Sequence, residues 1–89
     1  MGGKEYMGRV ASLGCILCQE LDWGESPAEV HHVFDTASRS PWLTVPLCPE
    51  HHRGPTGFHG MGQRAFERAY KLTEANLLAL TLARINAAS

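Results

Sequence analysis

The sequence predicts a small α+β domain in which one β hairpin is held among helices and stapled by a bound metal. Three observations predict it. At 89 residues the chain has room for one core, and so small a core ordinarily needs a staple. Apolar residues recur at helical spacing near both ends, while the middle carries two short β-rich stretches separated by turn residues. Finally, Cys15-x-x-Cys18 and Cys48-x-x-His51 have the spacing of two knuckles that close on one ion.

Residues 4–13 read as a helix with Tyr6, Val10 and Leu13 at helical spacing, ended by Gly14. CILC at 15–18 is then a knuckle turn, and 19–27, with Gly24, Ser26 and Pro27, a loop. AEVHHVF (28–34) reads as the first strand and DTASRSP (35–41) as turn chemistry. WLTVPL (42–47) is the returning strand, with Pro46 near its end. Residues 48–62 are dense in His, Gly and Pro and imply a shaped loop with room for one helical turn. Residues 63–72 form an amphipathic helix with Ala65, Phe66, Ala69 and Tyr70 on one side. Thr73 is the expected N-cap of a last helix over 74–86, where Leu77, Leu78, Leu80, Leu82 and Ile85 supply core surface. The chain thus reads as a single domain over 1–89, with an N-terminal helix to 14, a ligand-bearing core over 15–62 and a helical buttress over 63–89.

Composition narrows the function classes. A hydrophobic share of 44% with 19% charged residues is ordinary for a globular domain and argues against disorder. No apolar run approaches the roughly 20 residues a membrane span needs, and residues 1–9 lack the apolar core of a signal peptide. The expected setting is cytoplasmic, with no membrane partner. Three cysteines cannot all pair with one another. In a reducing compartment, clustered thiols are metal ligands more often than disulfides. Soft thiolates with an imidazole suit a structural Zn2+, so Cys15, Cys18, Cys48 and His51 are the expected ligands. A thioredoxin-like redox role for the CxxC would require a βαβ pattern that the sequence lacks.

Net charge is −1, which alone speaks against a nucleic-acid partner. Three thiolates would lower that sum by three, and a zinc with a second dication would raise it by four, leaving zero. Bound metals would then be the main local positive charges, with Arg39, Arg53, Arg64 and Arg68 available as a basic rim.

All five histidines, His31, His32, His51, His52 and His59, fall between positions 31 and 59. With His51 assigned to zinc, four imidazoles remain. Such a set can hydrolyse a phosphodiester, which needs a base to activate water and a cation to neutralise charge on the phosphate and leaving oxygen. In an extended strand, His31 and His32 point to opposite sides, so one can serve the metal and the other the water. His52 and His59 would complete the protein ligands. The same four imidazoles could instead form a second zinc site.

The order of CILC (15–18), AEVHHV (28–33) and PLCPEHHRGPTGFHGMG (46–62) resembles the HNH endonuclease superfamily, and more narrowly small phage-encoded relatives of the RecA-dependent recombination-enhancement (Ref-type) nuclease. The likeness extends weakly into AFERAY (65–70). It implies a ββα-metal (HNH/treble-clef-like) core and DNA cleavage with Mg2+ or another divalent metal in the host cytoplasm. It also implies DNA as partner, and RecA filaments with it. Carried over by position, His32 is the general base, His31 and His52 ligate the catalytic metal, and His59 is a further ligand. Arg39 or Arg53 would contact phosphate. The asparagine that gives the superfamily its middle letter is missing: Asn76 and Asn86 are too far along, so Thr44 or a nearby carbonyl would have to orient His32. Gly54, Pro55 and Gly57 break any long helix between His52 and His59. The alternative function is a catalytically weak or inactive zinc-binding module that interacts with nucleic acid or protein.

Overall fold

A computed structural model describes residues 1–34 and 39–87. Its elements are α1 (Gly3–Ser12), α2 (Ile16–Glu20), β1 (Glu29–His32), β2 (Thr44–Leu47), α3 (Pro49–Arg53), α4 (Phe58–Met61), α5 (Gln63–Tyr70) and α6 (Glu74–Ala87). The α+β class expected from the sequence is what forms. Residues 35–38 of the expected turn lie outside the described residues.

Tyr6 and Val10 bury one face of α1, four residues apart as a helical stripe requires. Gly14 leaves the helix at φ +77°, a left-handed exit that glycine makes without strain. The knuckle that follows is more helical than its spacing suggested. Cys15, in extended backbone, caps α2 by accepting the Cys18 N–H on its sulfur at 3.4 Å. Gln19 and Glu20 are therefore helical rather than loop, and the Gln19 amide donates to the Leu13 carbonyl at 2.7 Å.

The two strands form an antiparallel pair in which His31 faces Val45 and His32 faces Thr44. Both are shorter than the expected stretches, although Val33 still donates to Leu43 O at 3.0 Å. Pro46 sits inside β2 opposite Val30. Each strand of a two-stranded sheet has a free edge, so the missing N–H costs no ladder bond there. All four β2 residues are buried, because α1, α2 and α6 pack against that strand.

Residues 48–62 contain two helical turns, one more than expected, both with termini that suit their sequence. Pro49 opens α3, at a position whose N–H would have no partner anyway. Thr73 and Asn76 cap α6 reciprocally: Asn76 N–H donates to Thr73 Oγ1 at 3.1 Å and Thr73 N–H to Asn76 Oδ1 at 2.9 Å. The main core joins Ile16, Leu17, Val33, Val45, Leu47, Phe66 and Leu77 with the three cysteines. A smaller cluster packs Tyr6 and Val10 of α1 on Ile85 of α6. Two expected core residues are corrected: Ala69 and Leu82 are exposed, because α5 and α6 each bury a narrower stripe than their apolar residues span. Among the described residues, no helix is long and apolar enough to cross a membrane.

Candidate metal centres

Helix α3 carries two successive histidines, and the roughly 100° between neighbours on a helix sends them to different places. His51 is buried and joins Cys15, Cys18 and Cys48; His52 joins His31 and His59. Within each group the candidate ligand atoms all lie within 4.8 Å of one another, and either group could hold a metal ion.

The first group is a closed one. His51 Nδ1 lies 3.4 Å from the Cys18 and Cys48 sulfurs and 3.8 Å from that of Cys15, and the Cys18 and Cys48 sulfurs are 3.9 Å apart. Burial pushes the Cys15 thiol up to about 12, so without a cation this sulfur stays protonated. The His51 ring is flanked by Trp23 and Tyr70 at 5.5 and 5.7 Å between centroids. A buried set of soft donors with no open side suits an ion such as zinc in a structural role.

The second group opens into a cavity of about 530 Å³ whose walls include His31, His32, Arg39, His52, Arg53 and His59. His31, on β1, is buried, His52 is half-buried and His59 is exposed. Their ring centroids are separated by 5.2 Å (His31–His52), 5.2 Å (His31–His59) and 4.9 Å (His52–His59). Two glycines make this approach possible. A side chain at Gly57 would collide with the backbone of Glu50 and His51, and one at Gly60 with the carbonyl of Gly54. Thr56 donates its N–H and hydroxyl to Glu50, at 3.0 and 2.6 Å, and Tyr70 donates its hydroxyl to Thr56 O at 2.6 Å. Those bonds fix the link between α3 and α4, and with it the separation of His52 from His59.

Two carboxylates that the sequence reading missed engage this group. Glu29 Oε1 lies 2.9 Å from His52 Nδ1, and Glu74 Oε2 lies 2.9 Å from His31 Nε2. An ionised carboxylate only accepts, so each neutral ring carries its hydrogen on the nitrogen facing the acid. The lone pairs left for an ion are then His52 Nε2 and His31 Nδ1. Burial, followed by the neighbouring imidazoles of His52, His59 and His32, pushes the His31 pKa well below its usual value. His31 is therefore neutral and able to ligate. Hydrogen bonds from Arg53 and then His52 hold Glu29 down to about 2. Glu29 had a signal in the sequence, as the same-face neighbour of His31 in a strand; Glu74, 43 residues from its partner, left no local signal.

The remaining expected residues are placed as follows. His32, the last residue of β1, is half-buried and lines the same cavity as His31. Burial, then the Arg39 charge, lowers its pKa. Thr44 does not orient it: the Thr44 hydroxyl donates to Pro41 O at 2.9 Å, because its side chain is turned into the core. The side chain beside His32 is instead that of Arg39, with Nη2 3.2 Å from His32 Nδ1. Arg53 is forked onto Glu29, with Nε and Nη2 at 2.9 to 3.2 Å from its two oxygens. Arg64 and Arg68 are exposed on α5 and are not among the cavity walls.

A family model described as recombination enhancement, RecA-dependent nuclease matches residues 3–85. No curated protein and no solved structure matches the chain.

Proposed function

The chain belongs to the recombination-enhancement, RecA-dependent nuclease family, and from that premise we propose that it is a metal-dependent DNA endonuclease of the HNH (ββα-metal) type. The observation that carries this reading is the convergence of His31, His52 and His59 in one cavity beside His32. A structural zinc would use only His51, leaving a non-catalytic zinc module with no account of the other four imidazoles. Elements β1, β2 and α3 would be the ββα unit, with α4 adding His59.

Zinc in the Cys15, Cys18, Cys48 and His51 cluster is supported by distance. Ligands about 2.0–2.3 Å from a tetrahedral ion are about 3.5–3.8 Å from one another; His51 Nδ1 lies 3.4 to 3.8 Å from the three sulfurs and the Cys18 and Cys48 sulfurs are 3.9 Å apart, with every pair within 4.8 Å. For the second site, three neutral imidazoles favour a transition dication over Mg2+, which would draw on phosphate and water oxygens for most of its shell; Mn2+, the weakest nitrogen binder of the transition series, would combine both donor types. When bound there, the dication supplies Lewis-acid neutralisation of the charge on the phosphate and leaving oxygen.

The protein's own groups do the rest. Arg39 donates to the His32 nitrogen that carries the lone pair, so His32 becomes a base only when Arg39 leaves it. A DNA phosphate offers Arg39 a charge-assisted bond about twice as strong as a neutral one. Arg39 therefore moves to phosphate as substrate enters, and His32 Nδ1 is freed to take a proton from water. The water oxygen bonds to phosphorus, the bond to the leaving oxygen breaks, the leaving oxygen takes up a proton from solvent, and His32 returns its proton to solvent. Arg53, committed to Glu29, is a weaker candidate for phosphate.

Supercoiled plasmid and RecA-coated single-stranded DNA, each with Mn2+ or Mg2+, test the reading. Nicking or cutting that stops with EDTA is expected. Absence of cleavage on both substrates, with zinc bound and the protein folded, would favour the interaction module.

A further inference from the structure

Helix α6 belongs to the stretch that sequence patterning assigns to packing, yet its first residue, Glu74, is a carboxylate buried at the metal cavity. Burying a carboxylate is costly unless donors converge on it. Donors that do so include His31 Nε2 at 2.9 Å to Oε2 and the backbone N–H of Phe34 at 3.2 Å to Oε1. The charge also sits in the first turn of a 14-residue helix, where the helix dipole favours an anion. Phe34, exposed and at φ +68°, adopts a left-handed conformation that an aromatic residue rarely takes. One carboxylate thus ties together the exit of β1, a candidate metal ligand and the start of α6.

We propose that Glu74 is a positioning residue of the metal site, which holds His31 in the tautomer with Nδ1 free for the ion while anchoring the strand end at Phe34. The inference rests on the metal-site reading of His31, His52 and His59. The requirement is for a carboxylate and not merely a polar group. Both partners donate, and glutamine offers one acceptor oxygen where glutamate offers two. Glu74→Gln must therefore give up one of these contacts, or turn its amide N–H on His31 Nε2 and so move the His31 hydrogen to Nδ1, the nitrogen the ion needs. Outer-sphere partners of metal-bound histidines typically change metal affinity or activity by about 10- to 100-fold.

The test compares wild type, Glu74→Gln, His31→Ala and the double variant, all zinc-loaded, by Mn2+ titration followed by electron paramagnetic resonance. Glu74→Gln is expected to keep its zinc and to bind Mn2+ about 10- to 100-fold more weakly than wild type. Adding it to His31→Ala should cause no further loss. Wild-type-like Mn2+ affinity in Glu74→Gln, or a full additional loss in the double variant, would overturn the proposal. Wild type that binds no Mn2+ overturns the metal-site reading instead. Should Glu74→Gln fail to fold, 15N shifts of the wild-type imidazoles decide: His31 protonated on Nε2 is expected, and protonated on Nδ1 would overturn it.

Discussion

Removing the ion from the Cys15, Cys18, Cys48 and His51 cluster is expected to unfold the domain, and the pH dependence of that loss can be worked from the structure. All four residues are buried, and the three sulfurs lie within the main core. In the unfolded chain, thiols titrate near 8.5 and are protonated at pH 7, so binding as thiolates releases about three protons. Each is worth about 1.4 kcal/mol per pH unit, so stability should fall by about 4 kcal/mol from pH 7 to pH 6. That is a large part of the roughly 5–13 kcal/mol expected of a domain this size. His51, whose pKa is lowered by burial, adds to the loss once unfolded histidine protonates below about 6.5. An ion-free fold has a different signature. With Cys15 pushed up to about 12, the native thiol keeps its proton while the unfolded one ionises, so stability would fall as pH rises past about 8.5. The assay is guanidinium unfolding between pH 6 and 9 with and without a chelator, together with zinc competition against a chromophoric chelator. A chelator-insensitive transition, or a zinc affinity that changes with pH by one proton or fewer, would refute the reasoning.

Gly60→Ala should drive α4 away from the Gly54 carbonyl, costing roughly 1–3 kcal/mol of stability as overpacking does; Mn2+ affinity should fall while zinc content stays at one ion, and unchanged Mn2+ binding would contradict the close-approach account. Arg39→Ala should lower kcat/KM by roughly 10- to 100-fold, the ~1.5–3 kcal/mol of a charged hydrogen bond. Because the Arg39 charge helps keep His32 neutral, its removal should also move the acid limb of the kcat/KM profile to higher pH, although burial, the larger cause, retains part of the shift. An Arg39→Ala enzyme faster than wild type would mean that Arg39 only blocks the base.

Local chemistry was legible in the sequence, and long-range pairing was not. Paired spacing found the Cys15, Cys18, Cys48 and His51 cluster because each pair is brought together within one turn, leaving the hairpin only to join them. Histidine crowding found the His31, His52 and His59 group for a similar reason, since α3 and α4 are adjacent in sequence. Glu74 was invisible because 43 residues separate it from His31 and its residue type at a helix start is ordinary capping chemistry. The replacement of Thr44 by Arg39 as the partner of His32 was missed because strand pairing sets backbone neighbours: Thr44 faces His32 across the ladder while its hydroxyl bonds Pro41. Helices α2 and α4 were underestimated because four- and five-residue elements carry too little periodicity to register.

The central claim, that His32 activates water beside an ion held by its neighbours, is tested most directly by His32→Ala. Single-turnover cleavage of RecA-coated DNA with saturating Mn2+ is the measurement, with zinc content and Mn2+ affinity determined on the same preparation. The expected result is a loss of about 10²- to 10⁴-fold in rate, the range for a general base, with both metals bound as in wild type. Cleavage at the wild-type rate by His32→Ala would contradict it.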